Sequence, residues 1–475
     1  MIAPLKPYST MKDSGVPWLG DVPAHWERRR LKSILRPIDR RSSTGTETLL
    51  SLRRDHGVVV YSNHFSRPAQ GATTVGYKIV VKGQLVLNRL QANNGLVFDS
   101  PLDGLVSPDY SVFEPGANVS VRFLSLLLRT STYREHFRRE STGLGTGSAG
   151  FLRLYDDRFL ETPVVLPRIG EQPGILRFLD HADRRIRRYI GAKQKLIKLL
   201  GEQKRAIIHR AVTRGLDPSV RLKPSGVEWL GDVPEHWDVA ALRHRYAQAL
   251  GKMLDTKRIT GENSLPYLRN TDVQWDKINT EDLPAMDIAP HEYGRYTVQE
   301  GDLLVCEGGE LGRAALWTGQ LPVCGFQKAL HRLRPRRAGR DIPRFLCFAL
   351  RAAANACAFS DGHVSTIAHL TGDKLRGHAF PFPPAAEQAS IVQWLEPALT
   401  SVATAVECAR RETSLLREYR SRLVADVVTG KLDVREAAAQ LPEEVADAEP
   451  LDGEEAEPDA GDVGDDEEAS EGAEA

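Results

Sequence analysis

A fifteen-residue block occurs twice in this chain and shows that the protein is an internal duplication. Residues 12–26 read KDSGVPWLGDVPAHW and residues 223–237 read KPSGVEWLGDVPEHW, so twelve of fifteen positions are identical. Chance does not produce such agreement at an offset of 211 residues, so each copy is expected to belong to one folding unit, the two related by a pseudo-two-fold axis. The copies contain four of the seven tryptophans, which we expect to dock a short segment onto each unit rather than to contact a ligand. The Gly-Asp-Val-Pro run within each copy predicts a turn.

A second repeat, at an offset of 216 residues, predicts two long amphipathic helices. It begins at Glu171-Gln172 and again at Glu387-Gln388, and glycine at the expected C-cap follows each helix, at Gly215 and Gly430. Apolar residues recur in steps of three and four: Ile175, Leu179, Ala182, Ile186, Ile190, Leu200 and Ile207 in the first copy, and Ile391, Leu395, Ala398, Val402, Val406, Leu416 and Leu423 in the second. Helices of this length with matching stripes are expected to pack on each other as a coiled coil. Two surface helices, each packed on its own domain, would explain the stripes but not the length.

The repeats place the chain in the order globular unit, long helix, globular unit, long helix. Each globular unit spans about 150 residues, which is enough to bury a core of its own. Short β-like runs interrupted by Gly, Pro, Asn and Asp predict α+β units with a twisted, mainly antiparallel sheet. The predicted strands are 57–61, 77–81, 84–87, 111–113, 295–298, 302–305 and 330–333, and the predicted shorter helices are 121–138 and 343–359.

The formal charge of zero hides a basic body and an acidic C-terminal stretch. Residues 441–475 contain sixteen Asp or Glu and no Lys or Arg, and this stretch is predicted to be disordered because it is acidic and poor in aromatic residues. The preceding residues contain 63 basic against 47 acidic side chains, a net charge of +16 that suits a polyanion. The first helical segment, 171–215, has twelve Lys or Arg against four acids, whereas 387–431 has six of each. A solvated charged face is the ordinary explanation, but the asymmetry favours contact with phosphate or with an acidic partner.

Several classes of protein do not fit this sequence. It has no apolar run of eighteen residues and no signal peptide, which predicts a cytoplasmic protein with no membrane partner. The five cysteines are never spaced as metal-binding pairs, which predicts reduced thiols and no metal site. It contains no GxxxxGK(S/T) phosphate loop, no Asn/Asp-Pro-Pro-aromatic methyltransferase tetrapeptide and no HExxH spacing. We therefore predict no catalytic residues, and the chain is expected to recognise a partner rather than to catalyse a reaction.

One run matches a cofactor motif only formally. Residues 145–150, GTGSAG, fit the GxGxxG pattern of dinucleotide-binding folds. The motif needs a preceding strand, a helix that opens at its third glycine and an acidic residue further on, and none of these is expected here. A loop that becomes ordered on a ligand fits the run better.

The repeated plan resembles the specificity (S) subunit of Type I restriction–modification systems. The resemblance extends over residues 12–433, nearly the whole chain. Its motifs are the two SGVxWLGDVPxHW blocks, LLSL at 49–52, VSPDY at 106–110, PRIGEQ at 167–172, GDLLVCEGGELGR at 301–313, QKALHRLRP at 327–335 and PAAEQ at 384–388. Two features depart from the family pattern. The acidic tail has no counterpart there, and Pro397 inside the second helix predicts a kink or a late helix start near Glu396.

The resemblance implies an architecture of two tandem target-recognition domains and two long helices that form an antiparallel coiled coil. The implied boundaries are 12–170 for the first recognition domain, 171–217 for the first long helix, 223–384 for the second domain, 385–433 for the second long helix and 441–475 for the acidic tail. Each domain is expected to read one half of a bipartite, asymmetric site on double-stranded DNA, with the helices fixing the distance between the halves.

The resemblance also implies partner subunits that carry the chemistry. Two modification (methyltransferase) subunits are expected to dock on the helices and to bring S-adenosylmethionine. Restriction (translocase/endonuclease) subunits are expected to add ATP- and magnesium-dependent translocation and cleavage. No cofactor is expected in this chain.

Candidate DNA-reading residues follow from the chemistry of base edges. Arg pairs with guanine, Asn or Gln pairs with adenine, and Ser or Thr pairs with either. The candidates in the first domain are Arg53, Arg54, Asn88, Arg89, Gln91, Asn93, Asn94, Ser141 and Thr142. Those in the second domain are Arg269, Asn270, Gln274, Arg313, Gln327, Lys328, His363 and Ser365. Each would serve equally well as a surface or turn residue, and Asn93-Asn94-Gly95 also fits a simple tight turn. Four arginines are better candidates for phosphate contacts: Arg334, Arg336, Arg337 and Arg340. Such contacts position the protein on DNA but do not specify the base sequence.

Two other functions stay open at this stage. One is a duplicated protein-binding scaffold whose basic surface is incidental. The other is a self-sufficient nuclease or methyltransferase with unusual motifs, which incubation of the purified chain with DNA and S-adenosylmethionine or magnesium would reveal.

Overall fold

The computed structural model describes residues 5–65, 73–144, 151–254, 261–359 and 369–442. Four sequence predictions fall outside these ranges: the acidic tail beyond Pro442, the GTGSAG run at 145–150, and the candidates His363 and Ser365.

The chain divides into two compact units, each built from a globular part and a part of both long helices. Unit 1 consists of Met1–Lys193 and Arg411–Ala475, and unit 2 consists of Gln194–Arg410. Both divisions fall inside a long helix. The units of packing therefore differ from the linear order of domain and helix along the sequence.

The secondary structure confirms a mixed α+β chain. In unit 1 the strands are β1 (Met11–Asp13), β2 (Asp21–Pro23), β3 (Glu27–Arg30), β4 (Leu35–Ile38), β5 (Leu50–Arg53), β6 (Gly57–Val60), β7 (Lys78–Val80), β8 (Leu85–Asn88), β9 (Val97–Asp99), β10 (Gly104–Val106), β11 (Tyr110–Pro115), β12 (Thr142–Leu144), β13 (Phe151–Arg153) and β14 (Pro163–Leu166). In unit 2 they are β15 (Leu222–Pro224), β16 (Asp232–Pro234), β17 (Asp238–Ala241), β18 (Tyr246–Leu250), β19 (Ser264–Leu268), β20 (Val273–Gln274), β21 (Lys277–Ile278), β22 (Ala285–Asp287), β23 (Leu303–Cys306), β24 (Ala314–Leu316), β25 (Gly325–Phe326), β26 (Leu330–Pro335) and β27 (Ala379–Phe382). The helices are α1 (Val121–Leu128), α2 (Ser131–Glu140), α3 (Asp156–Glu161), α4 (Gln172–Arg214), α5 (Tyr293–Tyr296), α6 (Pro343–Asn355), α7 (Gly372–Gly377), α8 (Ala385–Val428) and α9 (Arg435–Ala439).

A four-stranded antiparallel sheet of the same topology lies in each unit. Its strand order is β4-β11-β8-β9 in unit 1 and β18-β26-β23-β24 in unit 2. Each strand of the unit 1 sheet has a counterpart at the same position of the unit 2 sheet, and the two come from the same relative place in the repeat. The duplication seen in the sequence is therefore also a duplication of topology, and the predicted antiparallel sheets are confirmed.

Both faces of each sheet are buried, which explains the continuous apolar runs in β8 and β23. Leu85 and Leu87 face the cluster that contains α1, whereas Val86 faces a second cluster with β5 and β6. In β23, Leu303 and Val305 likewise face the cluster with α6, and Leu304 faces a separate one. Because successive strand side chains point to opposite faces, a strand covered on both sides needs apolar residues at consecutive positions.

The two long helices run antiparallel and pack together, as predicted. In unit 1, Arg420 pairs with Asp183 and Lys193 Nζ lies 2.6 Å from Glu412 Oε2, so numbers rise along α4 as they fall along α8. Apolar residues of the same stretches share the unit 1 core: Ile175, Leu179, Ala182 and Ile186 from α4, and Leu423, Val427 and Val428 from α8. In unit 2 the shared core contains Ile208, Ala211 and Val212 with Ile391, Leu395 and Leu399.

Four local predictions are corrected by the structure. Of the two alternatives predicted near Glu396, a kink or a late helix start, the late start is wrong, because α8 begins at Ala385 and continues through Pro397. The strand predicted at 295–298 is wrong, because the chain forms the short helix α5 after a 3₁₀ turn that begins with Pro290. The single helix predicted over 121–138 is two, since Thr130, at the N-cap position of α2, has an extended backbone. The predicted Gly-Asp-Val-Pro turn is instead strand β2, paired with β1 in a hairpin that is repeated by β15 and β16.

The tryptophan blocks join long-helix ends to the globular parts. Trp26 and Trp237 are fully buried, which fits the predicted structural role. Gly430, after α8, lies against Trp26, and Gly215, after α4, lies against Trp237, both with positive φ. In unit 1 the preceding His25 also contacts Glu171 at the start of α4, 2.9 Å away, and in unit 2 His236 lies 2.8 Å from Glu387. Each block therefore contacts the end of one long helix and the beginning of the other.

Candidate nucleic-acid interface

Equivalent loops of the two sheets contain many of the candidate residues. One loop joins β8 to β9, and the other joins β23 to β24 at the same place in the matching strand order. The first reads RLQANNGL and the second EGGELGR, so the two have different polar chemistry at equivalent positions. Loops carried at the ends of a rigid sheet are common positions for binding residues.

The first two candidates of the unit 1 loop are engaged in holding the loop itself. Arg89 donates from Nε to the carbonyl of Asp109 at 2.6 Å and from Nη2 to the carbonyl of Pro108 at 3.2 Å. The carbonyl oxygen of the Asn88 amide accepts from the N–H of Leu90 at 3.0 Å, and Asn88 is nearly buried. These contacts favour a structural role for both side chains.

The next three candidates have amide side chains that form no hydrogen bond with other described residues. Gln91, Asn93 and Asn94 surround a 3₁₀ turn that ends at Gly95, whose φ is +82°, so the tight turn considered from the sequence is present. Their side chains are half-buried and make no hydrogen bond within the described part of the chain. An amide side chain with both its donor and its acceptor unused can pair with a base edge.

A second group of candidates lies on the β5–β6 hairpin. Arg53 ends β5, with its guanidinium 5.1 Å from the centre of the Phe65 ring, and Arg54 is exposed in the following turn. Phe65 stacks on Tyr61 at 4.4 Å, and His64 lies 5.3 Å from His56. The sequence reasoning missed this aromatic group. The YSNHF run next to a predicted strand was the available signal, because rings beside arginines form stacking surfaces for bases.

Two arginines of α1 and α2 connect these groups in unit 1. Arg134 donates from Nε to the carbonyl of Asn93 at 3.2 Å, and its pKa is lowered by burial and by the charge of Arg54. Arg129 lies 4.2 Å above the Phe98 ring and donates to the carbonyl of Arg54 at 3.4 Å. The hairpin and the β8–β9 loop therefore share one basic neighbourhood, which sequence reasoning did not identify.

Ser141 and Thr142 follow α2 at its C-terminal end. Ser141 Oγ donates to the carbonyl of Phe137 at 2.6 Å, which closes the last turn of the helix. Thr142 begins β12 and pairs in register with Arg153. Arg153 and Arg89 both contact Asp109, so Thr142 lies on the same side of the unit as the β8–β9 loop.

In unit 2, Arg269, Asn270 and Gln274 lie on one 3₁₀ turn and the strand that follows it. Arg269 pairs with Asp272 at 2.8 Å, and Gln274 Nε2 donates to the carbonyl of Thr271 at 2.9 Å. Both contacts are local. Asn270, in contrast, contacts the β23–β24 loop, where its Nδ2 donates to the carbonyl of Gly308 at 3.1 Å.

Asn270 and Arg313 are brought together. Arg313 Nη2 donates to the Asn270 carbonyl at 2.9 Å. Asn270 Oδ1 and Arg313 Nε are both buried and have no hydrogen-bond partner among the described residues. Buried polar atoms of this kind cost free energy unless something pairs with them.

The remaining candidates of unit 2 differ in whether their side chains already form hydrogen bonds. Gln327 and Lys328 lie between β25 and β26, and their side chains make no hydrogen bond within the described ranges. Arg334 donates two hydrogen bonds of 2.7 Å to the buried carboxylate of Asp302, so its charge is already paired. Arg336 donates to the carbonyl of Arg243 at 2.8 Å. Arg337 and Arg340 are exposed.

The described residues show neither a metal cluster nor a membrane span. In the five described ranges, no group of three or more His, Cys, Asp or Glu residues is placed to hold a metal ion. The acids Glu307 and Glu310 are not a cluster of this kind; Glu310 accepts from Trp275 Nε1 at 2.6 Å. Of the helices described, none is long and apolar enough to cross a membrane.

The fold defines a class: a duplicated α+β chain whose two sheet-bearing units share a pair of long antiparallel helices. No family model and no curated protein matches the sequence. Solved structures do match. One comes from work on complex assembly and conformational transition of the type I R-M system, with 17% identity and a TM-score of 0.66 over 86% of this chain and 99% of that chain. Another is the HsdS subunit from Thermoanaerobacter tengcongensis, with 17% identity and a TM-score of 0.51 over 86% of this chain and 98% of that chain.

The fold of this chain is therefore that of the specificity subunits of Type I restriction–modification systems. The resemblance predicted from the repeated motifs is confirmed at the level of structure. At 17% identity the likeness shows the fold, and the function rests on the residues themselves.

Proposed function

We propose that this chain is the DNA-specificity subunit of a Type I restriction–modification complex in the cytoplasm. Each unit reads one half of a bipartite, asymmetric site in double-stranded DNA. The observation that carries the proposal is the pair of equivalent loops, β8–β9 and β23–β24, which have the same place in matching sheets but different polar side chains. Two equivalent positions with different chemistry are what two different half-sites require.

The unengaged side chains are the best candidates for reading bases. In unit 1 these are Gln91, Asn93 and Asn94, and in unit 2 they are Gln327 and Lys328. Arg89 and Arg334 support the loops and sheets instead, since their guanidiniums are already bonded to carbonyls and to a carboxylate. The net charge of +16 before residue 441 supports binding to phosphate, which contributes affinity without sequence selectivity.

The long helices are proposed to fix the half-site spacing and to bind two modification subunits. Large apolar side chains remain exposed on them: Tyr189, Leu415 and Tyr419 in unit 1, and Leu196, Leu199 and Trp394 in unit 2. Exposed apolar residues grouped on helices commonly mark protein interfaces. The modification subunits would bring S-adenosylmethionine, and restriction subunits would bring ATP- and magnesium-dependent cleavage, while this chain contributes no catalytic group.

A domain exchange tests this proposal. Residues 27–168 are replaced by the matching region of a related protein, the variant is assembled with its modification subunits, and methylated bases are mapped in genomic DNA. One half of the recognised sequence should change and the other should persist, because 238–383 is untouched. A change in both halves would show that the two units do not read their half-sites separately. Methylation without sequence preference would favour the rival scaffold in which neither unit reads DNA.

Purified chain without partners provides the matching control. It should transfer no methyl group, hydrolyse no ATP and cleave no DNA. Turnover that disappears on a point substitution in this chain would show that it is an enzyme in its own right.

A further inference from the structure

The N-terminal half of α4 has a basic stripe, defined here as Arg177, His181, Arg184, Arg185 and Arg188. At about 100° per residue these positions fall within an arc of about 100° on one face of the helix. The acids of this stretch, Asp180 and Asp183, lie off the arc and pair with Arg122 and Arg420. The face is therefore purely basic over three turns.

Two arginines of the stripe, Arg185 and Arg188, have charge that the described residues do not neutralise. Arg184 and Arg188 are exposed, and Arg185 is half-buried. Arg185 and Arg188 form no ion pair or hydrogen bond within the described ranges. His181, Arg184, Arg185 and Arg188 line an open cavity of about 420 Å³ together with Tyr189. Partial burial and the charges of Arg185 and Arg184 lower the pKa of His181, as expected where like charges crowd one surface.

The C-terminal end of the described chain lies beside the beginning of this stripe. Arg177 donates a hydrogen bond to the carbonyl of Ala438 in α9. Leu441 packs on the unit 1 core. Arg168, Arg177 and Arg435 line a further cavity with Glu171 and Ala438, so three basic side chains and one acidic one lie close to α9, near the C-terminal end of the described chain.

The sequence that follows has the complementary charge. Residues 443–475 contain sixteen Asp or Glu and no Lys or Arg. Arg188 is eleven residues beyond Arg177, about 16 Å along the helix. An extended chain covers about 3.3 Å per residue, so the first few acidic residues after Pro442 already reach the far end of the stripe.

We propose that residues 443–475 bind the basic stripe of α4 within the same chain and cover its arginines. The acidic segment then occupies a surface that would otherwise attract any polyanion, such as duplex DNA, or the acidic face of another protein. This inference goes beyond the proposed function and does not depend on it, because the contact involves only this chain.

Photo-crosslinking in the full-length chain tests the contact directly. Benzoylphenylalanine replaces Tyr189, which is 52% exposed and lines the cavity of the stripe. The chain is irradiated at low ionic strength without DNA or partners, and crosslinked peptides are identified by mass spectrometry. Crosslinks should join position 189 to residues 443–475. They should disappear at about 1 M salt, where the screening length falls to about 3 Å. Mixing isotopically heavy and light chains identifies contacts between copies.

Two variants and a matched control define the chemistry. The triple change Arg184→Glu, Arg185→Glu and Arg188→Glu should abolish the crosslinks. Replacing the acidic residues of 443–475 by Asn and Gln should do the same while leaving the described fold unaltered. The control Lys198→Glu with Arg205→Glu introduces acidic charge on exposed positions of the same helix off the stripe, and the crosslinks should persist.

Three results would overturn the proposal. One is the absence of crosslinks to 443–475 at low salt. Another is crosslinks that join heavy to light chains, which would place the segment on a second copy. The third is equal crosslinking in the Asn/Gln variant, which would show that charge does not hold the segment. None of these results bears on whether the two units read DNA, so the two proposals fail separately.

Discussion

Gln388 accepts a hydrogen bond through its side-chain oxygen from the backbone N–H of Ile342, at 2.8 Å and across 46 positions of sequence. Ile342 is the N-cap residue of α6, so its N–H lies at a helix end. Gln172 makes the same contact with Ser120, the N-cap of α1, at 2.7 Å. Both glutamines are essentially buried, and each also donates to the proline carbonyl five residues earlier. The repeated Glu-Gln signature is thus explained: it ties the start of a long helix to the short helix beside it.

Removal of the glutamine side chain should lower the free energy of unfolding by about 1–3 kcal/mol for each unit, because the buried backbone N–H of the short helix loses its hydrogen-bond acceptor. The changes Gln172→Ala and Gln388→Ala are compared by chemical denaturation with Gln440→Ala, which alters an exposed glutamine after α9. The control should stay within about 0.5 kcal/mol of the parent. Equal, small effects in all three variants would contradict a structural role for the signature.

The glycines after and within the long helices should respond in opposite directions. At Gly430, φ is +78° and a Cβ would lie 2.4 Å from Pro23 Cδ. Gly430→Ala should therefore destabilise by more than the roughly 1–2 kcal/mol of the left-handed conformation alone. Gly191 lies in α4 with no atom near the position of a Cβ, so Gly191→Ala should stabilise by up to about 1 kcal/mol. Thermal melting of both variants measures this, and a loss of stability in Gly191→Ala would show that the helix face needs the small residue.

The sequence predicted the elements whose signal is local or repeated. The blocks and the helical stripes predicted the duplication and both long helices, and the short apolar runs predicted β8 and β23. It did not predict that the packing units divide at Lys193 and Arg410, because contacts such as Gly430 with Trp26 join positions some 400 residues apart. No local pattern contains that information. The hydrogen bonds of Arg89 and Arg334 could not be predicted for a related reason, since an arginine that binds phosphate and one that bonds a carbonyl or a carboxylate look identical in sequence.

Acidification should weaken unit 2 through a buried histidine. His331 Nδ1 faces the Gln248 amide at 3.0 Å and its Nε2 faces the Leu370 carbonyl at 3.1 Å, which suits a neutral ring that donates from Nε2. Burial lowers the pKa of His331, although the Leu370 carbonyl and Glu307 act in the opposite direction. A folded pKa below the unfolded value of about 6.5 means that the unfolded chain binds the proton more readily. The stability that neutral His331 contributes is therefore present above about pH 6.5, and it is lost as the pH falls towards the lowered pKa.

Denaturation between pH 8 and pH 5 measures the effect. His331→Gln should be less stable than the parent at pH 8 and should lose less stability on acidification. His291→Gln, which removes an exposed histidine from the same unit, is the matched control. A parent and a His331→Gln variant with parallel pH profiles would contradict this origin of the acid sensitivity.

Two neighbouring residues of the β8–β9 loop should separate recognition from stability. Asn94→Ala removes an amide that makes no hydrogen bond in the described ranges, so stability should change by less than about 0.5 kcal/mol. If the loop reads bases, selectivity at one position of one half-site should fall by about 1–3 kcal/mol. Arg89→Ala removes the donor to Asp109 and Pro108 and should instead destabilise unit 1. Methylation mapping with denaturation distinguishes these outcomes; a stable Arg89→Ala variant with altered selectivity would reverse the assignment.

Lengthening the long helices should change the spacing of the recognised site without changing its bases. One heptad of about seven residues is inserted in register into α4 after Lys193 and into α8 after Arg410, the positions at which the two units divide. The insertion preserves the apolar seam and adds roughly 10 Å at 1.5 Å per residue. This is about three base-pair steps of 3.4 Å, so the gap between half-sites should lengthen by about three base pairs. Both half-sites should stay the same because the loops proposed to read them are untouched. Insertion into α4 alone is the control, since it breaks the pairing of the seam and should abolish methylation. Mapping of methylated bases reads out both variants, and altered bases with an unchanged gap would refute the division of roles between loops and helices.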